Sequence, residues 1–282
     1  MSQSVPALVT SEWLADHLSA PDIRVIDGSW YLPMMRRDAK QEYLDRHIPG
    51  AVFFDLDDVS DTESPFPHML PAPEKFSSRI KALGIGDGHH VVAYDGMGVF
   101  SAARIWWMFK AMGHENVSVL DGGLPKWIAA KHPIATGNED PGPRHHTSRP
   151  NNFIIRDFED MKRNLETARE QVIDARSHGR FTGQAPEPRP ELSSGHMPNS
   201  LSLPFNELLN EDGTLKPEQA LRAAFESAGV DLSKPIVTTC GSGVTAAVPY
   251  LALTLLGHKN VALYDGSWSE WAATEGAPIE KG

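Results

Sequence analysis

The chain contains itself twice, and that repeat constrains its fold more than any other feature. From Val91 it reads VVAYDGMGVFSAARIWWMFKAMGHENVSVLDGGLPKW, and from Ile236 it reads IVTTCGSGVTAAVPYLALTLLGHKNVALYDGSWSEW. Asp95-Gly96-x-Gly98-Val99 lies on Cys240-Gly241-x-Gly243-Val244. Gly113-His114, Asn116-Val117, Asp121-Gly122 and Trp127 lie on Gly257-His258, Asn260-Val261, Asp265-Gly266 and Trp271. Upstream, Val25-Ile26-Asp27 matches Val172-Ile173-Asp174, and His47-Ile48-Pro49 matches His196-Met197-Pro198. Order is kept and spacing drifts by a few residues, so two copies of one domain account for the chain.

Between the copies runs GNEDPGPRHHTSRPNN, residues 137–152, with the composition of a linker. This places one domain at residues 1–138, a linker at 139–152 and a second domain at 153–282. A length of 282 residues suits two such domains. Within each copy, short apolar runs alternate with longer amphipathic ones. IRVID, HVVAY and VSVLD read as buried strands, as do QVIDA, PIVTT and VALYD; SAARIWWMFKAMG and EKFSSRIKALG read as helices ending at glycine. The expected fold class is α/β, each domain a central parallel sheet flanked by helices. Ligands of such sheets bind beyond the carboxyl ends of the strands. Asp95 and Cys240 each fall directly after a strand.

Charge and composition narrow the partners. The net charge of −11 argues against nucleic acid and against an anionic membrane surface. A local basic pocket for a small anion remains compatible with it. No run of about 18 apolar residues occurs, and MSQSVPALVTSEWLADHL has neither a signal nor a transit pattern. The single cysteine forms no intramolecular disulfide, and a cytoplasmic location is the expectation. No His/Cys cluster has metal-ligand spacing, so neither a metal nor a cofactor is expected.

The segment IVTT-CGSGVT-AAVPYLALTLLG reads as strand, Gly-rich turn and helix. Gly241 and Gly243 let the backbone turn its N–H groups inward, and the following helix points its positive end at the same place. A ring of donors favours a Cys240 thiolate, and equally the outer sulfur of a persulfide anion. A lone cysteine is more often a small buried hydrophobe. Two flanking glycines between a strand and a helix reverse that preference. The first copy keeps the glycines but carries Asp95, which cannot hold sulfane sulfur, so one copy reads as active and the other as retired.

These residues carry a resemblance. SWYLP (29–33), RHIPGAVFFD (46–55), SPFPHMLP (64–71), LDGGLPKW (120–127), GHMPNS (195–200), the CGSGVT loop and YDGSWSEW (264–271) stand in the order seen in tandem rhodanese-type sulfurtransferases. The loop looks most like that of the 3-mercaptopyruvate sulfurtransferases. The resemblance implies two rhodanese-like domains, the first inactive, with the active site on the second domain's loop of Cys240, Gly241, Ser242, Gly243, Val244 and Thr245. Members that favour thiosulfate carry basic residues where this chain has Gly241 and Ser242. Arg180 and Arg189 match the pair with which the mercaptopyruvate family holds its substrate, and a guanidinium fork suits a carboxylate; exposed surface arginines are the plain alternative. The family's Ser–His–Asp relay maps onto Ser242, His68 and Asp57, the last two from the first domain. A packing role for His68 is the alternative, and FFDLDDVSD offers several aspartates.

His47 and His196 recur in both copies and read as structural; Asp121 and Asp265 read as turn-shaping, and Trp106, Trp107, Trp268 and Trp271 as packing. The expected function is transfer of sulfane sulfur from 3-mercaptopyruvate to a thiol, cyanide or thioredoxin-like protein through a Cys240 persulfide, releasing pyruvate. Thiosulfate:cyanide sulfurtransfer is the alternative within the class. A cysteine phosphatase needs an arginine six residues after the cysteine, where this chain has Ala246. A non-catalytic binding protein of the same fold is the third reading.

Overall fold

The computed structural model describes residues 5–282. It forms two compact units, and neither is one continuous stretch of chain. The first comprises the residues up to Thr62, Leu70–Asn151 and Glu211–Leu215. The second comprises Glu63–Met69, Asn152–Asn210 and Lys216–Gly282.

The first unit is a five-stranded sheet of β1 (Leu8–Val9), β2 (Ile23–Asp27), β3 (Val52–Phe53), β4 (His90–Tyr94) and β5 (Val117–Leu120), in the order β1-β5-β4-β2-β3. Every pairing is parallel. The central strand β4 is buried along its whole length, as its unbroken apolar run requires when helices cover both faces. Around the sheet lie α1 (Ser11–His17), α2 (Ala39–Asp45), α3 (Leu56–Val59), α4 (Pro73–Ala82), α5 (Ser101–Ala111) and α6 (Gly123–Ala129). Thr10, Asp38 and Asp55 cap the first three through side-chain oxygens. Of α5, only Lys110 escapes burial, so this helix is a core element rather than an amphipathic one.

The second unit repeats the plan with β6 (Ile155–Arg156), β7 (Gln171–Asp174), β8 (Ser200–Ser202), β9 (Ile236–Thr239) and β10 (Val261–Tyr264), in the order β6-β10-β9-β7-β8, again all parallel. Its helices are α7 (Phe158–Thr167), α8 (His178–Phe181), α9 (Glu218–Ser227), α10 (Ala247–Leu255) and α11 (Ser267–Trp271). The repeat extends to single hydrogen bonds. The indole of Trp127 donates to the Pro133 carbonyl at 2.7 Å, and that of Trp271 to the Pro278 carbonyl at 2.9 Å. His47 and His196 are likewise equivalent. Each pairs its backbone with a residue just beyond the last helix of its repeat, Ala135 and Glu280, and holds a carbonyl with Nδ1.

The expected linker is a strap on the first unit. Arg149 and Asn151 donate their N–H groups to Met112 and Ala111, Thr147 donates to Asp87, and His146 is 1% exposed. The repeat also hides an exchange. Leu215, from the second copy, donates its N–H to the Asp121 carboxylate at 2.9 Å. Gly213 packs so closely on Gly98 that a β-carbon there would stand 2.7 Å from the Gly213 carbonyl oxygen. Asp121 therefore anchors a segment of the other copy instead of shaping its own turn. Sequence periodicity could not show this, because the contact joins residues far apart in the chain. No helix among the described residues is long and apolar enough to cross a membrane.

Candidate active site

Parallel pairing delivers three loops to one place in the second unit. Thr239, the last residue of the central strand β9, is in register with Asp174, the last of β7. The Ala175 N–H continues the pairing onto the Thr239 carbonyl at 2.8 Å. The chain after β7 thus leaves beside Cys240, carrying Arg176, Arg180 and Arg189. The chain after β10 closes the other side: Trp268 and Ser269 donate their N–H groups to the carbonyls of Cys240 and Gly241, both at 2.9 Å.

Cys240 is 2% exposed. Its N–H donates to the Ser267 hydroxyl at 3.2 Å, and that hydroxyl donates to the Tyr264 carbonyl at 2.8 Å. Val244 is buried, and the carbonyls of Val244 and Thr245 accept the Ala247 and Val248 N–H groups to start α10. Gly243 takes φ +77°, the left-handed conformation that glycine adopts without strain.

What this loop shape can hold is visible in the first unit. There the Asp95 carboxylate fills the loop. One oxygen accepts the N–H groups of Met97 and Gly98 at 2.8 and 2.9 Å; the other accepts those of Phe100 and Ala102 at 2.8 and 2.9 Å. Burial raises the Asp95 carboxyl above its ordinary value, and the four donors oppose that. A carboxylate oxygen stands two bonds beyond Cβ, as does the outer sulfur of a cysteine persulfide. The N–H groups at equivalent sequence positions after Cys240 are those of Ser242, Gly243, Thr245 and Ala247. That of Ala247 donates to the Val244 carbonyl at 3.3 Å.

Of the two arginines that the resemblance singles out, Arg180 reaches this loop directly and Arg189 reaches Ser269, which bonds to it. Arg180, on α8, lies over Gly241: its Nη2 is 2.9 Å from where a β-carbon of residue 241 would stand. It is not a free cation, because Nε and Nη2 both donate to the buried Glu187 carboxylate, at 3.1 and 2.5 Å. Glu187 also accepts from the fully buried Arg176 at 2.8 Å, and Arg176 pairs with Asp174 at 2.6 Å. Arg189 sends Nη1 to the Ser269 hydroxyl at 3.4 Å. Burial lowers Arg189 from its ordinary value; Glu191 opposes this, the Arg180 charge adds to it, and Cys240 opposes it. Ser269 also donates its hydroxyl to the Gly241 carbonyl at 2.6 Å, so one serine touches both the loop and an arginine.

His68 lies in the segment Glu63–Met69, which belongs to the second unit and not, as the repeat suggests, to the first. It is buried, with φ +61°, and its Nδ1 is 2.9 Å from the Ser242 hydroxyl. Asp57 belongs to the first unit, in the first turn of α3, where its N–H is capped by Asp55. Sequence reasoning missed Arg176, Glu187, Ser267 and Ser269. For Ser267 a signal existed, since the repeat aligns it with Gly123.

Comparison with known proteins agrees with this architecture. The family model described as the rhodanese-like domain matches residues 10–130 and 157–274. A Homo sapiens protein named 3-mercaptopyruvate sulfurtransferase is 46% identical over 271 residues, covering 94% of this chain and 91% of that protein. A Bos taurus protein named thiosulfate sulfurtransferase is 44% identical over 272 residues, with the same coverage. The crystal structure of SseA from Escherichia coli, reported with the "Rhodanese" fold and catalytic mechanism of 3-mercaptopyruvate sulfotransferases, superposes with a TM-score of 0.87 at 41% identity, covering 94% of this chain and 99% of that one. Tum1 from Saccharomyces cerevisiae gives a TM-score of 0.91 at 34% identity, covering 98% of each chain. With both domains matched and the sheet order repeated, the chain belongs to the rhodanese-like family.

Proposed function

We propose that this protein takes sulfane sulfur from 3-mercaptopyruvate onto Cys240, releases pyruvate, and passes the sulfur to an acceptor. The observation that carries the choice of donor is the loop itself: Gly241 and Ser242 are neutral, and Arg180 occupies the space over Gly241. Relatives named for mercaptopyruvate and for thiosulfate are nearly equally similar, so overall identity does not separate the donors.

Arg180 and Arg189 hold the donor's carboxylate and carbonyl. The Cys240 thiolate attacks the donor's sulfur, and a sulfur–sulfur bond forms. The carbon–sulfur bond breaks with its electron pair going to carbon, giving the enolate of pyruvate, which takes up a proton. Ser242, two residues after the nucleophile and hydrogen-bonded to His68, serves with it as the proton route. The persulfide rests among the loop N–H groups until a thiol, cyanide or a thioredoxin-like dithiol removes its outer sulfur. This is covalent, two-stage catalysis.

The test is intact-protein mass after exposure to 3-mercaptopyruvate or thiosulfate. One added sulfur on the wild type, none on Cys240→Ser, and a higher kcat/KM for mercaptopyruvate are expected. Undiminished turnover by Cys240→Ser would refute the reading, and a higher kcat/KM for thiosulfate would replace the donor.

A further inference from the structure

The two donor-binding arginines are not electrostatically alike. Arg176, Arg180, Asp174 and Glu187 form one closed network: Arg176 bonds both carboxylates, and Glu187 joins it to Arg180. Arg176 has no exposed side-chain surface and lies over the Trp268 ring at 4.1 Å, while the Asp174 and Glu187 side chains are 1% and 2% exposed. Two guanidinium groups and two carboxylates sum to zero. Arg189 stands outside this network. Its partner is the Ser269 hydroxyl, and among the described residues no carboxylate lies within ion-pair distance of it.

The site therefore offers the donor two forks but only one cation that no carboxylate pairs directly, Glu191 and Glu187 acting on Arg189 through space alone. A monocarboxylate neutralises that cation. A dianion of similar size leaves one surplus negative charge beside a sulfur that must itself be anionic, in a region where unpaired charge is costly. We propose that Glu187 is a specificity-determining residue that sets the donor's charge at minus one, by neutralising Arg180 while holding its remaining donors over Gly241. This deepens the preceding assignment and rests on its reading of Arg180 and Arg189 as donor-binding.

A rival explanation is bracing alone. The first unit keeps a comparable pair, Arg37 on Glu42, beside Gly96, although its loop carries no cysteine. Bracing predicts that loss of the carboxylate harms every donor alike. Charge matching predicts that it changes the choice of donor.

The experiment measures kcat/KM for 3-mercaptopyruvate and for thiosulfate on the same preparation of Glu187→Gln, so that any inactive fraction cancels in the ratio. The mercaptopyruvate-to-thiosulfate ratio is expected to fall at least about tenfold, the scale of one unit charge a few ångströms away. Glu187→Asp, which keeps the charge, is expected to hold the wild-type ratio. An unchanged ratio in Glu187→Gln overturns the proposal. A second measurement needs no variant: pyruvate is expected to inhibit the wild type more tightly than malonate, a dianion of similar size, and equal or tighter inhibition by malonate overturns the proposal as well. Arg180→Ala and Arg189→Ala in the same assay keep the two claims apart. If neither lowers kcat/KM for mercaptopyruvate, the donor site itself is misassigned, whatever Glu187 does.

Discussion

Ser267 and Gly123 hold the same left-handed turn in the two units, with φ of 51° and 53°. The following residue does the same job in each: Leu124 donates its N–H to Asp95 and Trp268 donates to Cys240, both at 2.9 Å. In the first unit the position must be glycine, because a β-carbon would stand 2.4 Å from the Asp95 carbonyl oxygen. In the second unit a serine endures the strained backbone, and its hydroxyl accepts the Cys240 N–H.

If the hydroxyl justifies that strain, Ser267→Ala and Ser267→Gly will both lose turnover, by roughly fivefold, the worth of about one hydrogen bond. They will differ in stability. Alanine keeps the strained φ, whereas glycine relieves it, so the alanine variant should be the less stable by about 1 kcal/mol. Urea denaturation alongside kcat decides this. Equal stability would show that the turn is unstrained.

Gly241 gives a cleaner separation of stability from activity. Its own φ is unremarkable, and the obstacle to a β-carbon is the far end of the Arg180 side chain. Gly241→Ala should leave the urea midpoint close to wild type while lowering kcat/KM for mercaptopyruvate about tenfold, because a guanidinium displaced by an ångström no longer meets the carboxylate. Wild-type kinetics in this variant would mean that Arg180 does not bind the donor.

Ser242 and His68 are hydrogen-bonded at 2.9 Å and should act as one unit. Ser242→Ala and His68→Ala are each expected to lower kcat, with the double variant little worse than the more damaged single one. Steady-state kinetics of the four proteins test this. Additive losses would separate the two residues and remove the proton route.

His146 makes stability depend on pH. Neither ring nitrogen has a hydrogen-bond partner, the ring stacks on His114, and burial followed by the His114 charge brings it from 6.5 down to about 4. A depressed value means that the unfolded chain binds the proton more readily. The contribution is therefore complete above about pH 6.5 and is lost as pH falls towards 4, amounting to roughly 3 kcal/mol over that range. His146→Leu should flatten the slope of unfolding free energy against pH. Part of it will remain, because His114 is also lowered by burial. An unaltered slope would show that the strap does not titrate through His146.

Much of this protein was legible without coordinates. The repeat foretold two sheets of one design because short apolar runs such as HVVAY and PIVTT alternate with longer amphipathic ones, some of them closed by glycine. Local spacing sufficed to place Cys240 and Asp95 at strand ends, since a parallel sheet sends all its strand ends to one edge; Arg180 and Arg189 stood out only through the resemblance. The rest depended on partners distant in sequence. That His68 belongs with the second unit, and that Asp121 holds Leu215, follows from two segments changing units, which no periodicity records. Glu187 sits in a proline-rich stretch without pattern, and only the fold shows it neutralising Arg180 beside Arg176. The sequence by itself determined that the one cysteine follows a buried strand of a parallel sheet, in a turn that carries two glycines. The tertiary structure decided how many charges surround that sulfur, because charge balance is a sum over residues that only folding brings within reach of one another.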